Sequence, residues 1–354
     1  MTEATAVVLD GFGIEKMRPD PRPIPEPGPG QVLVQVAAVS LNYRDYLLVN
    51  GIYNPRQPMP VIPCSDGAGI VVSVGAGVTA FKPGDRVVSV FMSAWPAGSP
   101  TSAMLGETRG GPGGDGFLTT HTVCDAHALL SIPETLSLNE AATLPCAAIT
   151  AWNAVIAETD LPPGGTVLVQ GTGGVAIFAA QFAKAAGAKV AILSSSDEKL
   201  AAIADLNPDY SLNYRDTPDW GKAVRRDFTP DGVDLVIEVG GEATLEQSLR
   251  AVRTGGTIAL IGVLSGAIAP INLPLVVMRH VRLQGITCGS RQDMQAMLSA
   301  IAHHEIKPRI SHVFPFEAFR AAFETMGAGG HLGKIVIEVA PADQPLPMHA
   351  GGDG

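Results

Sequence analysis

The run Thr166-Val-Leu-Val-Gln-Gly171-Thr-Gly173-Gly174-Val175-Ala176 decides the fold of this 354-residue chain. Four β-prone residues lead by way of Gln170 into glycines, and a helix-prone stretch follows at 176–186. A second apolar run, Lys189-Val-Ala-Ile-Leu193, comes next. Strand, glycine turn, helix and strand within about 30 residues is the context a dinucleotide-binding βαβ unit requires. Without Cβ atoms, the turn can bring backbone N–H groups against a pyrophosphate at the positive end of the following helix. The pattern reads G-x-G-G-x-A, with Ala176 in place of a third glycine, a substitution such turns accept. A lone glycine cluster is equally a plain structural turn; the flanking periodicity favours nucleotide binding.

Working outward, the strand–helix alternation continues. A helix is expected at 197–204, a strand at 233–239, a helix at 243–252 and a strand at 257–261, which together imply a parallel, doubly wound sheet. The first 125 residues are β-rich instead: 31–39 alternates like a strand, 69–74 is another, and 82–90 is a turn feeding a third. Beyond residue 279 the pattern is mixed, with helices near 292–303 and 316–326 and a closing strand at 334–339. The expected division is therefore 1–130, a nucleotide domain at 131–278, a return to the first domain at 279–340, and a flexible tail at 341–354. Proline-rich 19–29 is expected to be a loop, and glycine-rich 106–116 a surface excursion.

Composition narrows the partners. The chain is 46% hydrophobic and 16% charged, enough to bury two cores. A net charge of -10 argues against nucleic acid and anionic membrane, both of which reward a basic surface. The N-terminus lacks the cationic and apolar regions of a secretory signal. The uncharged window 254–278 is broken by glycines and by Pro270 and Pro274, and reads as a buried strand and loop rather than a membrane span. Four scattered cysteines (Cys64, Cys124, Cys146, Cys288) form no C-x-x-C pair and suit a reducing, cytoplasmic protein.

The chain resembles the medium-chain dehydrogenase/reductase superfamily over almost its whole length, and most of all its zinc-free, quinone-oxidoreductase-like and alcohol-dehydrogenase-like branch. The segments that carry the resemblance are Ser40-Leu-Asn-Tyr-Arg-Asp45, Asp66-Gly-Ala-Gly-Ile-Val-Val72, Phe81-Lys-Pro-Gly-Asp-Arg-Val87, Ala141-Ala-Thr-Leu-Pro-Cys-Ala-Ala-Ile-Thr-Ala-Trp152 and the glycine loop. The resemblance implies an α/β protein: a Rossmann domain plus a GroES-like catalytic domain built from both ends of the chain. It also implies an oxidoreductase that works as a homodimer or homotetramer on a small-molecule substrate.

Zinc-dependent members place a cysteine, a histidine and a cysteine where this chain has Asn42, Ser65 and Cys146, so no catalytic metal is expected. His121, Cys124 and His127 also fail as a metal cluster. On a strand, the two histidines share a face about 20 Å apart and Cys124 faces the other way, so polar residues on an exposed face are expected there. His303-His304 reads as a solvated helix end.

For the coenzyme, no carboxylate follows Leu193 to accept from ribose hydroxyls. Ser194, Ser195 and Ser196 stand there instead, Ser196 or Asp197 being the expected helix cap. Lys199 and Tyr214 match a lysine and a tyrosine that hold the 2′-phosphate in quinone-oxidoreductase-like relatives, which implies NADP(H) over NAD(H). The resemblance places Gly171, Gly173, Gly174, Val175, Ile261, Val263, Cys288 and Lys334 along the coenzyme as well. At the reacting end it implies Asn42, Asp45, Tyr53 and Thr150. Asp45 is equally a turn-capping carboxylate, and Tyr53 equally a cleft-wall aromatic.

Without a Lewis acid, hydride addition to a quinone or an enone is less demanding than alcohol oxidation, because its charge develops on a delocalised oxygen that Asn42, Tyr53 or backbone amides can stabilise. Protonation would come from Tyr53 or water. The expected function is NADPH-dependent reduction of a quinone or α,β-unsaturated carbonyl. Two alternatives stay open: a zinc-independent alcohol dehydrogenase with a Thr150 or Tyr53 proton relay, and a nucleotide-binding protein with structural or regulatory duty.

Overall fold

Thr166–Gln170 is the centre of a six-stranded parallel sheet in the computed structural model, which describes residues 3–106 and 108–340. The expected tail at 341–354 lies outside those residues. Across the sheet the order is Tyr210–Asn213, Lys189–Ser194, Thr166–Gln170, Val233–Glu238, Val252–Leu260 and Arg282–Gly285. Numbered along the chain that is 3-2-1-4-5-6, the doubly wound order whose strand direction of growth reverses beside the first strand. The interior strands carry apolar runs at 167–169, 190–193, 235–237 and 258–260, because helices cover both faces. The two edge strands were not legible in sequence: four residues each, with polar residues among them, they lack the apolar run of a buried strand.

The second sheet is assembled from both ends of the chain. Ile310–Pro315 pairs in parallel with Lys334–Glu338, which runs antiparallel to Gln31–Leu41. Asp66–Val74, Arg86–Ser89 and Leu129–Ser131 follow, and His121–Asp125 pairs with the other part of Gln31–Leu41. The register Ile335↔Leu41 sets Lys334 beside the residue after Leu41, which is Asn42. Nearly 300 residues of sequence separation close here, and the candidate site depends on it.

Three expectations are corrected. Proline-rich 19–29 is not all loop: Met17–Pro23 is a strand paired with Glu3–Leu9. Pro19, Pro21 and Pro23 fall on alternate residues, opposite Val7, Thr5 and Glu3, where the ladder needs no N–H. The N–H of Val7 correspondingly turns away, to Leu118 O at 2.9 Å. Residues 106–116 are not a free surface excursion, since Thr108, Gly110 and Gly111 are buried against the Tyr43–Val49 helix and Cys64. Finally, His121 and Cys124 are both buried rather than on an exposed polar face; Arg109 reaches Cys124 Sγ at 3.0 Å and Thr122 Oγ1 at 2.7 Å. His303 and His304 are exposed at a helix end. Among the described residues no helix is long and apolar enough to cross a membrane, and no group of acidic, histidine and cysteine side chains could hold a metal.

Candidate active site

Gly171 closes the central strand with φ +79, a conformation that any side chain would strain, and its N–H bonds Leu193 O at 2.7 Å. Gly173 caps the twelve-residue helix Gly174–Ala185, and a Cβ built on it would meet nothing within 4 Å. An open backbone at the start of a long helix fits a pyrophosphate. Val175 is half-buried behind it, and Ala176 is buried where helix meets sheet. Gly174 has a different task. A Cβ there would fall 2.6 Å from Cδ of Lys334, whose side chain passes over this turn.

Further along the cleft, Ser196 caps the helix Asp197–Ala201 by accepting from the N–H of Lys199 at 3.3 Å. Ser194 is buried, Ser195 and Lys199 are half-buried, and Tyr214 is exposed. The parallel pairing of Asn213 with Ser194 brings Tyr214 back, its N–H bonded to Ser194 O at 3.0 Å. His331, unmarked in the sequence, has a buried Nδ1 with no partner. Burial first, then the positive charges of Lys334, His312 and Lys199, hold its pKa below the usual histidine value. Cations and an unpartnered ring nitrogen suit a phosphate dianion.

Ile261 and Val263 follow the strand Val252–Leu260. The Ile261 N–H bonds Glu238 O at 2.9 Å, and Val263 is exposed. Glu238, another residue the sequence left unmarked, is fully buried at the end of its strand. Its carboxylate accepts from Gln170 Nε2 at 2.8 Å, Gly240 N at 2.9 Å, Gly241 N at 3.0 Å and the hydroxyls of Thr244 and Ser248. It holds the glycine turn that borders the cleft.

The reacting end is a cluster of buried charges. Asn42 caps the short helix Tyr43–Val49, and Asp45 accepts its backbone N–H at 2.9 Å. Asp45 is thus the turn-capping carboxylate that its spacing allowed, and burial, against the pull of Arg44, pushes its pKa up to about 6. Burial likewise raises Asp66, opposed by Lys334; its carboxylate accepts from Ser65 Oγ at 2.7 Å and Cys146 N at 3.1 Å. Lys334 Nζ donates to Leu41 O at 2.7 Å and to Asn42 Oδ1 at 2.5 Å. The Asn42 side-chain N–H2 is buried and lies towards the Asp66 carboxylate, whose pKa it helps to lower, without completing a hydrogen bond of good geometry.

Arg44 was not singled out in the sequence. It is buried between the rings of Tyr53 (5.0 Å) and Phe91 (5.3 Å), and bonds Asp45 at 3.3 Å and Thr108 Oγ1 at 3.0 Å. Tyr53 is half exposed at the cleft wall. Thr150, on the helix Ile149–Trp152, is buried with its hydroxyl 3.4 Å from Cys288 Sγ. Cys288 itself sits at φ +154 with its carbonyl held by Asn153, a strained backbone beside the cleft.

The places of the three zinc ligands therefore hold an amide whose oxygen faces an ammonium, a hydroxyl bonded to Asp66, and a thiol. The neighbouring Cys288 thiol and burial push the Cys146 pKa up. That donor set does not fit zinc, which takes thiolate, imidazole or carboxylate.

Comparison with known proteins agrees with this architecture. Residues 28–134 match the alcohol dehydrogenase GroES-like domain, and residues 174–303 match the zinc-binding dehydrogenase domain. A zinc-type alcohol dehydrogenase-like protein of Schizosaccharomyces pombe is 40% identical over 92% of this chain and 96% of its own. An acryloyl-coenzyme A reductase of Metallosphaera sedula is 29% identical over 92% of this chain and 96% of its own. The crystal structure of an alcohol dehydrogenase from Sinorhizobium meliloti superposes with a TM-score of 0.89 at 35% identity, covering 96% of this chain and all of that one. The chain belongs to the medium-chain dehydrogenase/reductase superfamily, and is an NAD(P)-dependent oxidoreductase.

Proposed function

We propose that this protein is a zinc-independent, NADPH-dependent reductase of quinones or α,β-unsaturated carbonyls. The observation that carries the reading is Asn42: in a metal ligand's place stands a buried amide with a free donor. When bound, the nicotinamide coenzyme supplies a hydride. Gly171, Gly173 and the helix start at Gly174 would hold its pyrophosphate, and Lys199, Tyr214 and Ser195 its 2′-phosphate. Reduction of a conjugated carbonyl leaves charge on the substrate oxygen, where Asn42 Nδ2 donates a hydrogen bond. Tyr53 or water returns the proton at the cleft wall. Arg44, pinned between Tyr53 and Phe91, closes that wall and keeps water from the buried carboxylates.

A second reading, zinc-independent alcohol oxidation, draws on the buried Thr150 hydroxyl and the alcohol dehydrogenase names of relatives. Enones, quinones and alcohols assayed with NADPH and NADP+ separate the two: turnover of alcohols alone would sink the first. For assembly we infer a homodimer or homotetramer. Ile268 (85% exposed), Leu273, Val277 and Met278 lie in an uncharged, exposed apolar segment next to the edge strand Arg282–Gly285. The four unpaired cysteines suit a cytoplasmic, reducing setting.

A further inference from the structure

We propose that Lys334 is a positioning residue, whose ammonium fixes the Asn42 side-chain amide with Oδ1 inward so that Nδ2 is presented to the substrate oxygen. An amide's two ends are nearly the same shape, so a neighbour must decide which way it lies. Here the neighbour is an ammonium, which has three donors and no acceptor. With Lys334 Nζ 2.5 Å away, only the oxygen of Asn42 can face it. The amide nitrogen is forced to the opposite side, towards Asp66, where it is buried and completes no hydrogen bond of good geometry. A buried donor without a well-placed acceptor is costly, and a ligand oxygen removes that cost.

The lysine is itself held in place. It is 4% exposed, a second proton bonds Leu41 O at 2.7 Å, and the carboxylate of Asp66 balances its charge. Strand pairing of Ile335 with Leu41 sets its height, and the missing Cβ of Gly174 gives its stem a path. The second of the paired glycines in the nucleotide loop thus serves the reacting end. This inference rests on Asn42 being the oxygen-facing donor of the proposed reaction.

A double-mutant cycle tests it, run on whichever compound of the enone, quinone and alcohol panel the wild type turns over. Lys334→Met should lower kcat roughly 10- to 150-fold, the loss expected for one charge-assisted hydrogen bond. In an Asn42→Ala background the same change should cost less than about threefold, because the lysine then has nothing to orient. Lys334→Arg, which like lysine has donors and no acceptor, should recover most of the rate. It also keeps the test available if Lys334→Met does not fold. Coenzyme Kd, followed by nicotinamide fluorescence, should stay within about threefold throughout. Independent, multiplying losses in the double variant would overturn the proposal, as would a loss that appears in coenzyme Kd and not in kcat. If only alcohols turn over, the reductase reading fails while the cycle still reports on Lys334; no turnover of any compound overturns both.

Discussion

At the proposed nucleotide end of the cleft most of the work would fall to backbone, at Gly171, Gly173 and the first turn of the helix Gly174–Ala185, with Lys199 a short way along the chain. At the reacting end almost everything is side chain: Asn42, Arg44 and Asp45 from one helix start, Asp66 from a strand, Lys334 from the far end of the chain. The difference teaches where each function is written. A turn that receives a phosphate needs a local pattern, so it survives as a readable motif. A cluster of buried charges needs balance across the whole fold, and balance has no motif. The first end should therefore fail in coenzyme affinity, and the second in turnover.

Asn42→Asp attacks the second end most sharply. The carboxylate keeps an oxygen for Lys334 but has no donor for the substrate, so kcat should fall about 10²- to 10³-fold, the usual loss for one oxyanion donor. Coenzyme Kd should hardly move, and steady-state kinetics beside fluorescence titration checks both. An equal loss in Kd would erase the distinction between the two ends.

Lys199→Ala attacks the first end. Only a 2′-phosphate needs that cation, so NADPH binding should weaken roughly 10- to 150-fold while NADH is unchanged. Ser194→Asp should move preference towards NADH by repelling the phosphate, and Tyr214→Phe should weaken NADPH less than Lys199→Ala. Tighter binding of NADH than NADPH by the wild type, or an equal effect of Lys199→Ala on both, would break the assignment of this pocket.

Legibility follows the same divide. The glycine loop and the alternation of strands and helices were both readable, because each is a run or a spacing. Asn42 and Asp45 were readable only through resemblance, and the structure adds that Asp45 caps its turn. Arg44, Glu238 and His331 were not readable at all. Each is a polar residue whose burial depends on partners from distant strands, such as Thr108 for Arg44 and Gln170 for Glu238. Met17–Pro23 was misread because proline content suggests a loop, whereas proline spacing of two suits one side of an edge strand.

A smaller effect concerns stability and pH. Burial lifts the Asp45 pKa to about 6, so the folded chain holds that proton more tightly than the unfolded chain. Its contribution to stability is full below about pH 4 and is lost as pH rises through about 6, by up to roughly 3 kcal/mol. The stability of wild type relative to Asp45→Asn, from urea unfolding, should therefore fall across that window. A difference that stays flat with pH would mean Asp45 is not the buried acid described.

The most direct test of the central claim is the rate of NADPH oxidation with the best enone or quinone of the panel, measured before and after exhaustive dialysis against a chelator. With Asn42, Ser65 and a single thiol, Cys146, in the ligand places, the rate should be unchanged and zinc should be well below one per chain. Activity that disappears on dialysis and returns with added zinc would contradict the account.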